Sequence, residues 1–368
     1  MSKERSGISR RKLIQKAAAG VAAGAIVTSL GRRVIAAEGG KGASVDSTGA
    51  AASGAFEAKV VSVYSEKAFA GTSPDATVVA KMLDKAAETF KGGAAADLWK
   101  SLFTADDVVG IKLNCISRSV KPNKELIDAV VANLKAAGVK ENNIIVWDRF
   151  EDQLVRRARL KVNTGTEGVR IYGTEKTNDS LSGYDKDVYY ESDVDTKEYR
   201  GETGNRSLVS KIVTKDCTKI VNLGVLKDHN VAGVSGCLKN IAFGAVNNTA
   251  RFHREPMYCS PAIADIYAIP AVRQKTVLHI LDALRVCYNG GPDCPNPAYI
   301  VPFSTIYVAT DPVACDTIGL EVVVRLRKEH GLPDLNETSG HPVHIADAAK
   351  KGLGVGERAK IELVEVTT

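Results

Sequence analysis

The sequence predicts an α/β fold in which a mainly parallel sheet is flanked by helices, with room for two lobes. Three observations predict it. Short β-branched apolar runs alternate with helical stretches along the chain, the pattern of strands joined by crossover helices. The 368 residues, 44% hydrophobic and 25% charged, suffice for one large domain or two smaller ones. Polar residues gather where the apolar runs end, as they do where an α/β sheet presents its strand tips to a ligand.

Lys59 to Ser65 alternates as a strand, and Ser73-Pro74-Asp75 opens a helix reaching about Phe90, with Val79, Met82, Leu83 and Ala86 on one face. A helical piece from Leu98 to Phe103 leads to the strand Val108 to Leu113, which carries Lys112 and ends at Asn114 and Cys115. Asn123 to Ala137 has the clearest helical spacing, stopped by Gly138, and the next strand, Ile144 to Trp147, is tipped by Asp148 and Arg149. Gly173 to Ser207 turns polar and acidic without clear periodicity, and reads as an insertion anchored by Tyr184, Tyr189, Tyr190 and Tyr199. Ile220 to Leu226 has the length and branching of a buried strand, with Lys227, Asp228 and His229 crowded at its expected end. A turn with Gly233 and Gly236, a short helix carrying Lys239 and Asn240, and then His253 between two nearby arginines follow. Ser260 to Val272 reads as helix, and Val277 to Leu281 and Ser304 to Ala309 as strands. Asp311 caps a helix from Pro312 to about Lys328, and Ile361 to Val366 is the last strand.

In a parallel sheet the strand C-termini share one edge, so residues distant in sequence can converge there. Lys227 and His229 are the candidate catalytic residues. Lys112, Asn114, Gly233, Gly236, Lys239, Asn240 and His253 are the candidate ligand-binding ones: a cationic cradle beside a histidine that can exchange a proton near neutral pH. Singly, each also reads as a solvated strand end or a satisfied polar residue. Asp282, Asp311 and Asp316 are candidate ligands for a divalent metal, although Asp311 also suits a helix cap and Asp316 the start of a helix. No HExxH, phosphate-binding P-loop or GxGxxG is present, and Ser235 lacks the spacing of a hydrolase elbow.

The first 37 residues resemble a twin-arginine export signal: Arg10-Arg11 precede an Ala/Gly/Val run from Ala17 to Leu30, and Val34-Ile35-Ala36-Ala37 offers small residues for cleavage. That resemblance implies the twin-arginine export machinery as a partner, a periplasmic or extracytoplasmic address and no stable membrane span. Glu38 to Ala55 then reads as a flexible linker. Residues 1–37 hold eight Lys/Arg and one Glu, so removing them leaves 41 bases and 42 acids, a net charge of about −1 against +6 for the whole chain. The basic balance is therefore no argument for nucleic-acid binding. Of the seven cysteines, Cys287 and Cys294 are best placed for a disulfide, pinning the loop between them.

From about Lys59 onward the chain resembles the domain of unknown function 362 family. The likeness rests on Gly110-Ile111-Lys112-Leu113-Asn114, on Leu226-Lys227-Asp228-His229 followed by Gly233 to Asn240, on Phe252-His253, on Asp282 with Gly291-Pro292, and on Asp311-Pro312-Val313-Ala314-Cys315-Asp316. The resemblance implies an α/β domain, joined in some relatives to a ferredoxin-like module. No ferredoxin cysteine run is present here, so an iron–sulfur cluster is not expected. The function expected is that of an exported enzyme or cofactor-binding protein acting on a small anionic ligand. The alternative is a non-catalytic periplasmic anion-binding protein that uses the same cations.

Overall fold

In the computed structural model, residues 33–35, 56–176, 178–179, 181–194, 204–254, 257–338 and 340–368 are described. Almost all of the expected export signal, and the whole linker, lie outside them. The main strands are β1 (Ala58–Tyr64), β2 (Val109–Lys112), β3 (Ile144–Phe150), β4 (Arg170–Glu175), β5 (Tyr184–Glu191), β6 (Arg206–Ser210), β7 (Lys219–His229), β8 (Gly233–Ser235), β9 (Thr276–Cys287), β10 (Ile300–Ala309) and β11 (Ile361–Thr367). A nine-stranded sheet has the order β11-β1-β10-β9-β7-β2-β3-β4, with β8 added to the end of β7. Strands β9, β7, β2, β3 and β4 run parallel, whereas β10 is antiparallel to both of its neighbours.

Helices cover both faces. On one side lie α1 (Ala76–Lys91), α2 (Ala95–Leu102) and α3 (Lys124–Ala136), whose Met82, Leu83, Trp99, Leu126 and Val130 pack with Val221 and Leu223 of β7. Asp75 caps α1 by accepting from the Val78 N–H at 3.0 Å, as Ser-Pro-Asp predicts. After α4 (Glu151–Arg156), the opposite side carries α5 (Cys237–Gly244), α6 (Ala262–Tyr267), α7 (Pro312–Glu329) and α8 (Val343–Lys350), packed with Ile220 and Leu226. Covered on both faces, β7 is buried from Ile220 to His229, which is why its Ile220 to Leu226 segment is mostly apolar rather than alternating.

In the polar stretch after Gly173, Tyr184, Tyr189 and Tyr190 are buried within β5, which pairs antiparallel with β6 in a separate small sheet that also takes up Arg33–Ile35. Tyr199 lies outside the described residues. One sequence expectation, the end of β7, needs correction. The strand does not stop at Leu226, because β8 folds back and pairs Lys227 with Ser235, Asp228 with Val234 and His229 with Gly233. Gly233 makes the return at φ +75°, a conformation that a side chain disfavours.

Candidate functional site

A cleft of about 1000 Å³ lies over the C-terminal ends of β2, β3 and β7 and the side of α5. Lys112, Asn114, His229, Lys239, Asn240 and His253 all line it, so six of the expected residues do converge. They divide into a scaffold and a receptive set.

The scaffold centres on Lys112. This side chain is 1% exposed, and its Nζ donates to Asp148 Oδ1 at 2.7 Å, to Asn240 Oδ1 at 3.1 Å and to the Leu113 carbonyl. All three ammonium protons are thus accounted for. Asp148 also accepts from the backbone N–H groups of Cys115 and Arg149, each at 2.7 Å. Asn240 in turn donates to Asn222 Oδ1 at 2.8 Å and to the Leu223 carbonyl at 3.3 Å, tying α5 to the centre of the sheet. Lys112 and Asn240 therefore build the wall and have little left to offer a ligand.

The receptive set is different. Lys239, half-buried on α5, lies over the Phe243 ring at 4.9 Å and 3.4 Å from His253 Nε2. Among the described residues no carboxylate pairs with it. Burial, reinforced by the positive charge of Lys112 and opposed by Cys259, lowers its proton affinity. His253 Nδ1 faces the Thr249 carbonyl at 3.0 Å, so Nδ1 carries the proton and Nε2 accepts from Lys239. His229 has the opposite tautomer: Nδ1 accepts from the N–H groups of Val231 and Ala232, both at 3.1 Å, which places the proton on Nε2. Burial above all, with Lys239, His253 and Lys227 adding, pushes its pKa well below the usual histidine value. His229 is therefore a neutral N–H donor, which revises the expectation of a group that exchanges protons near neutral pH. Asn114 uses Oδ1 to accept from Lys227 at 3.1 Å, leaving its amide N–H groups beside the cleft.

Lys227 lies behind this wall. It is buried, among the described residues no carboxylate pairs with it, and burial lowers its pKa to about 8. Gly233 and Gly236 are also structural. Gly233 packs on Pro342 at the hairpin, and a Cβ on Gly236 would overlap the carboxylate of Asp316.

The three aspartates do not come together as a ligand set. Asp282 accepts from the Asn123 backbone and side chain and from the Leu284 N–H, holding the entry to α3. Because β10 runs against β9, Asp311 falls at the sheet edge away from the cleft, where it caps α7 and accepts from Val355 N–H. Asp316 accepts from Cys237 and Leu238 N–H at the start of α5, and burial pushes its carboxyl up to about 7 against those bonds. Among the described residues the group whose ligand atoms do converge, within 4.8 Å of one another, is Asp228, Cys287 and Cys294. All seven cysteines are unbonded thiols and buried, so the expected Cys287–Cys294 pair meets without a disulfide.

Among the cleft residues that sequence reasoning left out of the site are three charged ones, Asp148, Arg149 and Glu175. Asp148 neutralises Lys112. Arg149 pairs with Glu175 at 2.6 Å across to β4. The tip Asp148-Arg149 shows the same signal as Lys227 to His229, charge directly after an apolar strand. Glu175 has no such signal, because its strand begins in a polar stretch.

No described helix is long and apolar enough to cross a membrane. Among curated proteins none matches the chain. A structural-genomics crystal structure of a Thermotoga maritima protein is similar at a TM-score of 0.40 and 11% identity, with 72% of this chain and 61% of that chain covered. The family model described as Domain of unknown function (DUF362) matches residues 109–321, more than half of the chain and every residue lining the cleft, and the chain belongs to that family.

Proposed function

We propose that this protein is exported and binds a small organic anion in the cleft, as an enzyme or cofactor-binding protein acting on that anion. One observation carries the reading: three cations and two carboxylates line the cleft, both carboxylates are engaged by Lys112 and Arg149, and Lys239 is left over. A half-buried ammonium without a carboxylate is incompletely compensated, and a phosphate or carboxylate beside it would also receive the Nε2–H of His229 and the amide of Asn114. The volume suits an anion borne on an organic body rather than a bare inorganic ion. Calorimetric titration of the purified chain with phosphorylated and carboxylated metabolites tests this. Lys239→Met is expected to weaken binding of the best ligand at least ~10-fold, the scale of one charge-assisted hydrogen bond; equal binding by the variant would sink the reading.

Turnover is favoured by a second feature, the lowered proton affinity of Lys239 next to the acceptor Nε2 of His253, which suits proton transfer to a bound ligand. If the bound anion is consumed, Lys239→Arg keeps binding and loses turnover. If the anion is returned unchanged, the protein is a binding protein. Export rests on the Arg10-Arg11 pair and the weakly apolar run after it. A reporter fused behind residues 1–37 is expected to leave the cytoplasm, and to stay there when both arginines are changed to lysine.

A further inference from the structure

We propose that Asp228, Cys287 and Cys294 form a zinc site, distinct from the anion cleft, whose lining includes none of the three. The ligand atoms of the three residues lie within 4.8 Å of one another, and all three residues are at most 1% exposed. The carboxylate identifies a cation as the missing partner. Asp228 Oδ1 accepts from Gly291 N–H at 2.7 Å, but among the described residues Oδ2 is buried with no hydrogen-bond partner and no ion pair reaches this carboxylate. An unpartnered buried carboxylate oxygen is costly, and a disulfide between the two cysteines would leave it so, whereas a cation would not.

Two thiolates and one carboxylate are the donor set of a borderline-soft divalent ion held by three protein ligands, with a fourth position for water or a carbonyl. The backbone carbonyls of Asn289 and Pro292 already lie beside the two thiols, at 3.1 and 3.8 Å. The loop between the cysteines is braced from outside. Arg327 donates to the Tyr288 carbonyl and to Asn289 Oδ1, both at 3.1 Å, and Ser117 donates to the Asp293 carbonyl at 2.9 Å. Val120, Val225 and Ile300 pack around the sulfurs, so the site is pre-shaped and shielded from water. Loading converts two thiols and a carboxylate into three metal bonds and releases the two thiol protons to solvent.

The test uses the full chain, purified with a reductant and dialysed against Zn²⁺ or Co²⁺ and then against metal-free buffer. The expected result is one zinc per chain and, with cobalt, thiolate-to-metal charge-transfer absorption that disappears in Cys287→Ser and Cys294→Ser. Asp228→Asn keeps an acceptor for Gly291 N–H and guards against loss of folding; it is expected to weaken zinc at least ~10-fold, the lower bound seen for outer-sphere partners. A reduced wild-type chain that retains no zinc overturns the proposal, as does equal retention by the variants. So does recovery of Cys287 and Cys294 joined to each other in protein isolated without reductant.

Discussion

Replacing Asp148 by asparagine should separate a buried ion pair from an exposed one of similar length. Lys112 Nζ lies 2.7 Å from Asp148 Oδ1, with side chains 1% and 9% exposed. Asparagine keeps one acceptor where the carboxylate has two. Its amide N–H groups must therefore oppose either the Cys115 N–H or the Lys112 ammonium, both of which are donors. Removing one member of a buried pair leaves the other charge uncompensated, at a cost of about 3–5 kcal/mol. Lys124 and Asp128 approach within 2.5 Å on α3, but their side chains are 60% and 59% exposed, and solvent screening reduces such a pair to about 0–1 kcal/mol. Equilibrium unfolding in urea, followed by circular dichroism and by the fluorescence of buried Trp147 beside Lys112, should place Asp148→Asn far below wild type and Asp128→Asn close to it. Adding Lys112→Met should restore part of the loss, because the stranded charge goes with it. A loss below about 1 kcal/mol for Asp148→Asn, or no recovery in the double variant, would refute the account of Lys112 as the paired scaffold of the cleft.

Other consequences follow from buried titratable groups and close approaches. Burial pushes His344 down to about 3, with Lys239 adding, and among the described residues neither of its ring nitrogens has a partner. The unfolded chain takes up this proton near pH 6.5, so the stability that neutral His344 contributes is complete above that pH and is lost as pH falls toward 3. His344→Leu should flatten that acid limb in melting temperatures measured from pH 7 to 4; an unchanged slope would show that other groups govern it. Gly236→Ala forces a Cβ into the Asp316 carboxylate that caps α5, and should cost about 1–3 kcal/mol in urea unfolding. A variant as stable as wild type would show that the carboxylate can move aside freely.

The fold and the position of the cleft were legible in the sequence because both follow from periodicity. Apolar runs separated by helices imply a mainly parallel sheet, and a parallel sheet brings Lys112, Asn114 and His229 to one edge however far apart they lie in the chain. What was not legible depended on backbone groups, which have no residue signature. Asp282, Asp311 and Asp316 look alike in the sequence, yet each is held by amide N–H groups of a different segment. Their spacing resembled a metal set only as long as β10 was assumed to run with its neighbours. The reach of β7 past Leu226 was hidden for a related reason: Lys227 to His229 are strand residues because β8 supplies their pairing, and a polar strand end that finds its partners elsewhere reads like a solvated tip.

That extension has a chemical consequence. Successive side chains on a strand point to opposite faces, so continuing β7 through Lys227, Asp228 and His229 sorts three adjacent polar residues into two environments. His229 reaches the anion cleft and Lys227 holds Asn114 at its wall, while Asp228 is turned toward Gly291 and Cys287. The hairpin at Gly233 sets this register, and a slip of one residue would exchange the two faces. The two sites are not insulated from each other, because Lys227 donates to Asn114 at the cleft wall and also lies close enough to Cys294 and Cys287 for their charges to act on it, so each variant is to be read for both anion and zinc.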